Sequence, residues 1–504
     1  MATAVRTLQM PGRFVTAVSE LQPGRFSWQF LLVTAALGFV GIFLPAGIAL
    51  LVLVPVLAIW YWGAPIRGVY VLLGGATMVE IYELNFPDSL TDRIHLFLNL
   101  NNSSGLDGFP ITPAEVLMVT AMAVGFFRAV SDRNVHWPSG RLVTAYWLYL
   151  LVILGAEVHG MLGGGDFKLS LWELRPQVYG FVLFCLTTTL VQDRKQIAYL
   201  ALIFLIGAAF KSILGDFRYF VTLGGVVGGQ QEVFEHADSY FLGLLSVSGL
   251  IALIWLRNRR AIILINLATP LALLSLLANQ RRTGVYALGA SVIVLMVLGY
   301  RFEPALRKRI AWIAVLMIIG GAGFVGANWN KEYGIQAQLV RPIKSFFDPT
   351  ARDFLSDQYR NAETANLKLT YKTSPIIGVG FGSRYLTVYP MADISSIYPL
   401  WNVIPHNSLM WVGMRMGALG FVAFWGLIGL AIIQGCNILA YRRDPLMRAV
   451  AAFAIAAIVA ELISAYADIQ LENYRNLIFL GVVLGLLNRI TQLPELEPEK
   501  ETDA

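Results

Sequence analysis

Charge is what this sequence has least of. Only 14% of its 504 residues are Asp, Glu, Lys or Arg, against about 25% in an ordinary soluble chain, and the mean hydropathy is +0.62. Those values exclude a soluble globular domain and leave a polytopic membrane protein. Cysteine is scarcer still. Cys185 and Cys436 are the only two, and both fall within or at the edge of apolar segments, which excludes an extracytoplasmic disulfide framework. Neither has the surroundings of a catalytic thiol. The net charge of +6 would point to nucleic acid in a soluble domain, but here the basic residues sort by membrane side, and no nucleic-acid partner is expected.

Apolar runs of about 17 to 22 residues read as membrane helices. They lie near 28–44, 46–63, 68–84, 113–130, 142–162, 173–191, 197–214, 239–256, 261–278, 284–300, 310–328, 405–434, 447–467 and 475–490. The spacing predicts an all-α polytopic membrane protein of about fourteen transmembrane helices with one long, partly helical extracytoplasmic loop. Its parts are a cytoplasmic segment 1–27, spans one to eleven over 28–328, the loop 329–404, spans twelve to fourteen over 405–490, and an acidic tail 491–504 that is expected to be disordered. Arg6, Arg13 and Arg25 precede the first run as in a signal peptide. No small-residue cleavage site stands out and a second span follows at once, so an uncleaved first helix is expected.

Orientation follows from Lys and Arg in the short loops. With the N-terminus in the cytoplasm, "QDRKQ" (192–196), "RNRR" (257–260), "RFEPALRKR" (301–309) and "YRRDPLMR" (441–448) all fall inside, and both termini are cytoplasmic. Three features then face outward: the 329–404 loop, the pair Arg281 and Arg282, and the start of "PHNSLMW". The loop is too long for a mere connector. Residues 356–373 lack Gly and Pro and read as a helix with Ser356 as a cap, followed by the glycine-rich turn "SPIIGVGFGSRY" (374–385).

The glycines of that turn, Gly378, Gly380 and Gly382, are not followed by Gly-Lys-Ser/Thr and do not sit in a strand–turn–helix unit, so nucleotide binding is not expected. They would let the backbone pass close to a membrane helix or a substrate. Arg281 and Arg282 lie at a tight hairpin on the side where basic residues are disfavoured. A guanidinium binds phosphate oxygens bidentately, so an outer-leaflet diphosphate is a natural ligand, although arginines at a membrane boundary commonly only solvate a helix end. Arg360 is a further candidate of the same kind.

The stretch 403–420, "VIPHNSLMWVGMRMGALG", places His406 and Asn407 directly before an apolar run. At about 100° per residue, Gly413, Gly417 and Gly420 fall within about 40° of His406 and would form one stripe below it. Such a stripe lets a neighbouring helix approach. Arg415 points the opposite way, about 13 Å deeper, and an intramembrane arginine faces protein or water; Glu461 in the next span is a candidate partner.

At these residues the sequence resembles the O-antigen ligase and polysaccharide polymerase superfamily of bacterial envelopes. That family's pattern is His, then Asn, Ser or Gln, nine residues, Gly, two residues, Gly, after a long periplasmic loop; His406, Asn407, Gly417 and Gly420 match it. The loop pattern of an Arg followed by Pro-x-x-Gly-x-Gly-x-Gly is met by Arg360, Pro375, Gly378, Gly380 and Gly382. "QRRTG" is similar to the family's outer-helix Arg, with Arg282 the better match. The resemblance covers roughly residues 230–435 and implies a fold like that of the C-type glycosyltransferases.

The resemblance implies transfer of a glycan from an undecaprenyl-diphosphate carrier to an acceptor sugar hydroxyl, on the outer face of the bacterial inner membrane, without cofactor or metal. His406, Arg360 and Arg282 would be catalytic, and Arg281, Asn407, Gly378, Gly380 and Gly382 would bind substrate. Gly413, Gly417 and Gly420 would pack the helix. Partners would be the lipid-linked donor, a glycan or lipid A-core acceptor, membrane lipids and polysaccharide assembly proteins. No tight metal-ligand cluster is visible, and the first outer loop near 44–46 has no acidic residue. A transporter or flippase of lipid-linked glycans is the competing reading, and ligase and polymerase are not separated by the motif.

Overall fold

A computed structural model of the chain describes residues 46–81, 89, 91, 94–100, 111–132, 137–225, 233–332, 334–396 and 398–495. The expected first span 28–44 and most of the acidic tail lie outside the described residues. The described residues are helical throughout, with no strand.

The helices are α1 (Ala46–Gly63), α2 (Ile66–Met78), α3 (Pro113–Ser131), α4 (Arg141–Leu162), α5 (Phe167–Leu190), α6 (Arg194–Phe217), α7 (His236–Trp255), α8 (Arg259–Ala278), α9 (Arg282–Phe302), α10 (Arg307–Asn328), α11 (Ile335–Lys344), α12 (Ala351–Thr373), α13 (Ser408–Tyr441), α14 (Pro445–Ala467) and α15 (Tyr474–Ile490). A helix thus stands at every expected span after the first. By length and apolarity nine of those among the described residues can cross a membrane, or ten if the bent pair α1 and α2 forms one span, against the fourteen expected. Two expected spans fall short for visible reasons. α5 carries Lys168, Glu173, Arg175 and Pro176, and α15 is only 17 residues long.

The core is made by α7, α14 and α15, with α5 packed along α15 and α13 between α4 and α14. α10 is exposed along almost its whole length, as suits a helix on the lipid side of a bundle. The buried cations Arg475 and Lys211 are paired inside the bundle. Arg475 holds Asp238 at 2.5 Å and Glu235 at 3.2 Å, and Lys211 bridges Asp238 to Glu80. Unpaired, each of these groups would carry a desolvation penalty of several kcal/mol.

Between α10 and α13 the chain forms α11 and α12, which sit over one end of the bundle. The cap of α12 is Thr350, whose hydroxyl accepts from the Asp353 amide at 3.2 Å; Ser356, the expected cap, lies inside the helix, about one and a half turns beyond the observed start. Ala351 to Leu355 continue the helical run backwards to Thr350, because Asp353, which could also cap a helix, has its carboxylate held by Arg341.

Candidate active site

The site is built on a splice between the glycine turn and α13. At Gly417 the backbone leaves the helical region, with φ 63° and ψ −161°, so the carbonyls of Met414 and Arg415 lose their usual partners, the amides of residues 418 and 419. The glycine turn takes both sets. The amides of Val379 and Gly380 donate to the Met414 and Arg415 carbonyls at 2.9 and 3.0 Å, and the Ala418 and Leu419 amides donate to the Pro375 and Ile376 carbonyls at 2.9 and 3.1 Å. Two freed carbonyls and two freed amides are thereby satisfied by the turn's backbone, as a break buried in a bundle requires.

This geometry corrects the expected glycine stripe. The helix does not continue straight through Gly417, so the three glycines do not form one stripe. A Cβ on Gly413 would make only ordinary contact with Tyr371, and one on Gly420 would meet its own helix's Met416. Gly417 is the close contact, and what approaches it is the turn backbone of Ile376 and Ile377. The turn's glycines are also structural rather than open to a substrate. Gly378, Gly380 and Gly382 all have φ near +75°, are buried, and lie with their Cα atoms against the backbones of Arg415, Gly160 and Asp166 respectively. A side chain at any of them would be strained and would collide.

Arg415 clamps the splice from beneath, fully buried. Its partner is Glu173 of α5, not Glu461, which instead accepts from Asn476 at 3.1 Å. Nε of Arg415 donates to Glu173 at 2.6 Å, and its two terminal nitrogens donate to the Gly380 and Val403 carbonyls at 3.0 and 2.9 Å. Glu173 in turn accepts from the Gly382 amide at 2.9 Å and the Trp411 indole at 2.7 Å. The polar residues of α5 are thus the socket that holds the turn.

Above this base, His406 and Arg360 line one cavity of about 600 Å³, together with Tyr359, Leu355, Pro390 and Met391. Both residues were expected at the site, and the fold brings them together. Arg360 has no hydrogen bond or ion pair among the described residues. His406 meets the fully buried Glu363 of α12, whose carboxylate accepts the His406 amide at 3.0 Å and lies 3.1 Å from Nδ1. The ring of Tyr359 stands edge-on to the imidazole at 5.7 Å, and its buried hydroxyl has no hydrogen-bond partner.

The remaining expected residues are placed elsewhere. Arg282 does not line the cavity. Its guanidinium grips Asp357 bidentately at 2.6 and 3.1 Å and lies 3.5 Å from Asp353, which Arg341 also holds at 2.6 Å. Burial would raise the Asp353 pKa, but Arg341 and Arg282 outweigh it and hold the carboxyl below its ordinary range. Arg282 therefore anchors α12 rather than facing a ligand. Arg281 sits at the N-cap of α9 beside it, in a hairpin tight enough to force Gln280 to φ 56°. Asn407 is the N-cap of α13, its side chain accepting from the Met410 amide at 2.9 Å, so a substrate-binding role is not what its contacts support.

Four residues escaped the sequence reading. Glu363 and Tyr359 flank Arg360 on α12. Asp468 follows α14, with His236 Nδ1 at 2.6 Å. Burial would raise Asp468, but His236, then Arg360 and His406, hold it well below the usual carboxylate range. Glu363 carried a signal: it lies three residues after Arg360, on the same helical face. No curated protein matches the chain. Residues 267–425, which run from α8 through α12 and the glycine turn past His406 into α13, match the family model described as O-antigen ligase, and this multi-pass membrane protein therefore carries a domain of the O-antigen ligase family.

Proposed function

We propose that the protein is a glycosyltransferase that moves a glycan from an undecaprenyl-diphosphate carrier to a sugar hydroxyl, on the outer face of the bacterial inner membrane, with both termini cytoplasmic. The observation that carries this reading is the cavity of about 600 Å³ shared by His406 and Arg360, within the segment that matches O-antigen ligases. An imidazole and a guanidinium without a hydrogen bond or ion pair among the described residues are the two groups that such a transfer needs. The acceptor oxygen attacks C1 of the donor sugar, and its proton passes to His406. The C1–O bond breaks, and its electron pair leaves with undecaprenyl diphosphate. Arg360 stabilises the charge that grows on that diphosphate. Tyr359 lines the cavity and offers its ring to a sugar. Arg282, with Asp357 and Asp353, keeps α12 and hence Arg360 in place.

The acceptor is lipid A-core for a ligase or a growing glycan for a polymerase, and polysaccharide assembly proteins are the expected partners. In cells lacking the native gene, His406→Ala and Arg360→Ala should each abolish long-glycan formation at unchanged membrane abundance. Normal glycan ladders in both variants would overturn the reading.

A further inference from the structure

Glu363 is the residue whose chemistry the transfer step does not yet use. It is fully buried, stands one turn from Arg360 on α12, and spends both oxygens on a single residue. Oε2 accepts the His406 backbone amide at 3.0 Å, and Oε1 lies 3.1 Å from His406 Nδ1. Among the described residues the other side chain within hydrogen-bond reach is Tyr385, whose hydroxyl lies 3.4 Å from Oε1 but 2.7 Å from the Trp401 carbonyl, to which it donates. A carboxylate only accepts, so the proton between the two groups belongs to Nδ1.

We infer that Glu363 is a positioning residue that fixes His406 as its Nδ1–H tautomer, leaving the Nε2 lone pair as the site that receives the acceptor's proton. This rests on the proposed function, and it adds the element that decides whether His406 can act as a base at all. An imidazole with its proton on Nε2 has no lone pair to offer from that nitrogen. The arrangement also fixes the ring twice, because the carboxylate binds both the backbone and the side chain of His406 and so sets the imidazole's direction as well as its tautomer. Tyr359 and Tyr398 complete the seat with ring edges at 5.7 and 6.5 Å.

Glu363→Gln makes a sharp test, because glutamine keeps the shape and has one oxygen instead of two. The backbone amide of His406 can only donate, so it claims the oxygen. The amide NH2 of the glutamine is then turned towards Nδ1, which must accept, and the proton moves to Nε2. Protein labelled with ¹⁵N in its histidines, in lipid nanodiscs, would be compared as wild type, Glu363→Gln and His406→Ala, the last identifying the His406 signals. The wild type should show a protonated Nδ1 and an unprotonated Nε2 in the neutral ring, and Glu363→Gln should show the reverse. With a lipid-linked oligosaccharide as donor, kcat should fall by about 10² to 10⁴, the usual worth of a general base, while the donor KM changes by less than about twofold, since Arg360 is untouched. Glu363→Asp, which keeps two acceptor oxygens, should retain the wild-type tautomer and recover part of kcat.

An unchanged tautomer in Glu363→Gln, or a kcat within about threefold of wild type, would overturn the inference. A Glu363→Asp variant as inactive as Glu363→Gln, with the Nε2–H tautomer, would also count against it. The two readings fail separately. Full turnover in His406→Ala sinks the proposed function whatever the spectra show, whereas an unaltered tautomer sinks the role of Glu363 even if His406→Ala is inactive.

Discussion

Glu173→Gln is the perturbation that most severely tests the account of how the site is held. Glu173 and Arg415 are both fully buried, and the pair sits under the splice of the glycine turn and α13. The substitution removes the carboxylate that pairs with Arg415 while leaving the guanidinium its two backbone acceptors, Gly380 and Val403. A buried charge whose partner is removed costs about 3–5 kcal/mol, a change of roughly 10² to 10⁴ in the folding equilibrium at about 1.4 kcal/mol per tenfold. The Gly382 amide and the Trp411 indole keep an acceptor in the glutamine oxygen only one at a time. Stability would be read by denaturant-driven unfolding in mixed micelles, with pulse proteolysis of the glycine turn as the local probe. The turn should become cleavable at a lower denaturant concentration than the rest of the bundle. A loss below about 1 kcal/mol, with the turn as protected as in wild type, would refute the clamp.

Other consequences are as specific. Gly380→Ala puts a Cβ about 2.3 Å from the Cα of Gly160 at φ +77°, and the yield of folded protein in detergent should collapse, while Gly413→Ala, whose Cβ would find ordinary contacts, should express as wild type. Tyr359→Phe removes a buried hydroxyl that has no hydrogen-bond partner, and since an unsatisfied buried hydroxyl is costly the melting temperature should stay unchanged or rise; a clear loss of stability would contradict this. Burial pushes Glu472, in the connection between α14 and α15, up to about 8, against the hydrogen bond from Ser408. The folded state therefore holds this proton between about pH 4.5 and 8 while the unfolded chain has released it, so folding stability falls as pH rises through that window and levels above it. Glu472→Gln should flatten this part of the melting temperature's pH profile between pH 5 and 8, and an identical slope would contradict the assignment.

The helices were legible because apolar run length is a local property, and each run after the first is matched by a helix. Their role was less so: the polar start of α5 looked like a poor span, yet Glu173 there is the partner of Arg415. The histidine and the loop arginine were legible from their residue types and placement before and after the glycine turn. The break at Gly417 was not, since helical angles assume an unbroken helix, and the amides that replace its bonds come from residues about 35 positions earlier in the chain. The partners of Arg282 were hidden for a related reason. Nothing local to "QRRTG" reveals that Asp353 and Asp357 will be folded against it, although those acidic residues share a helical face with Arg360 and Glu363, about one turn apart.

The central claim is that the cavity of His406 and Arg360 transfers a lipid-linked glycan. Its most direct test is to incubate the purified protein in detergent with undecaprenyl-diphosphate oligosaccharide and either lipid A-core or free repeat-unit acceptor, then identify products by mass spectrometry. The account predicts a glycosylated acceptor and free undecaprenyl diphosphate in equal amounts from the wild type, and neither from His406→Ala or Arg360→Ala. Release at wild-type rates from both variants, or glycan movement only across sealed vesicles with no new glycosidic bond, would contradict it.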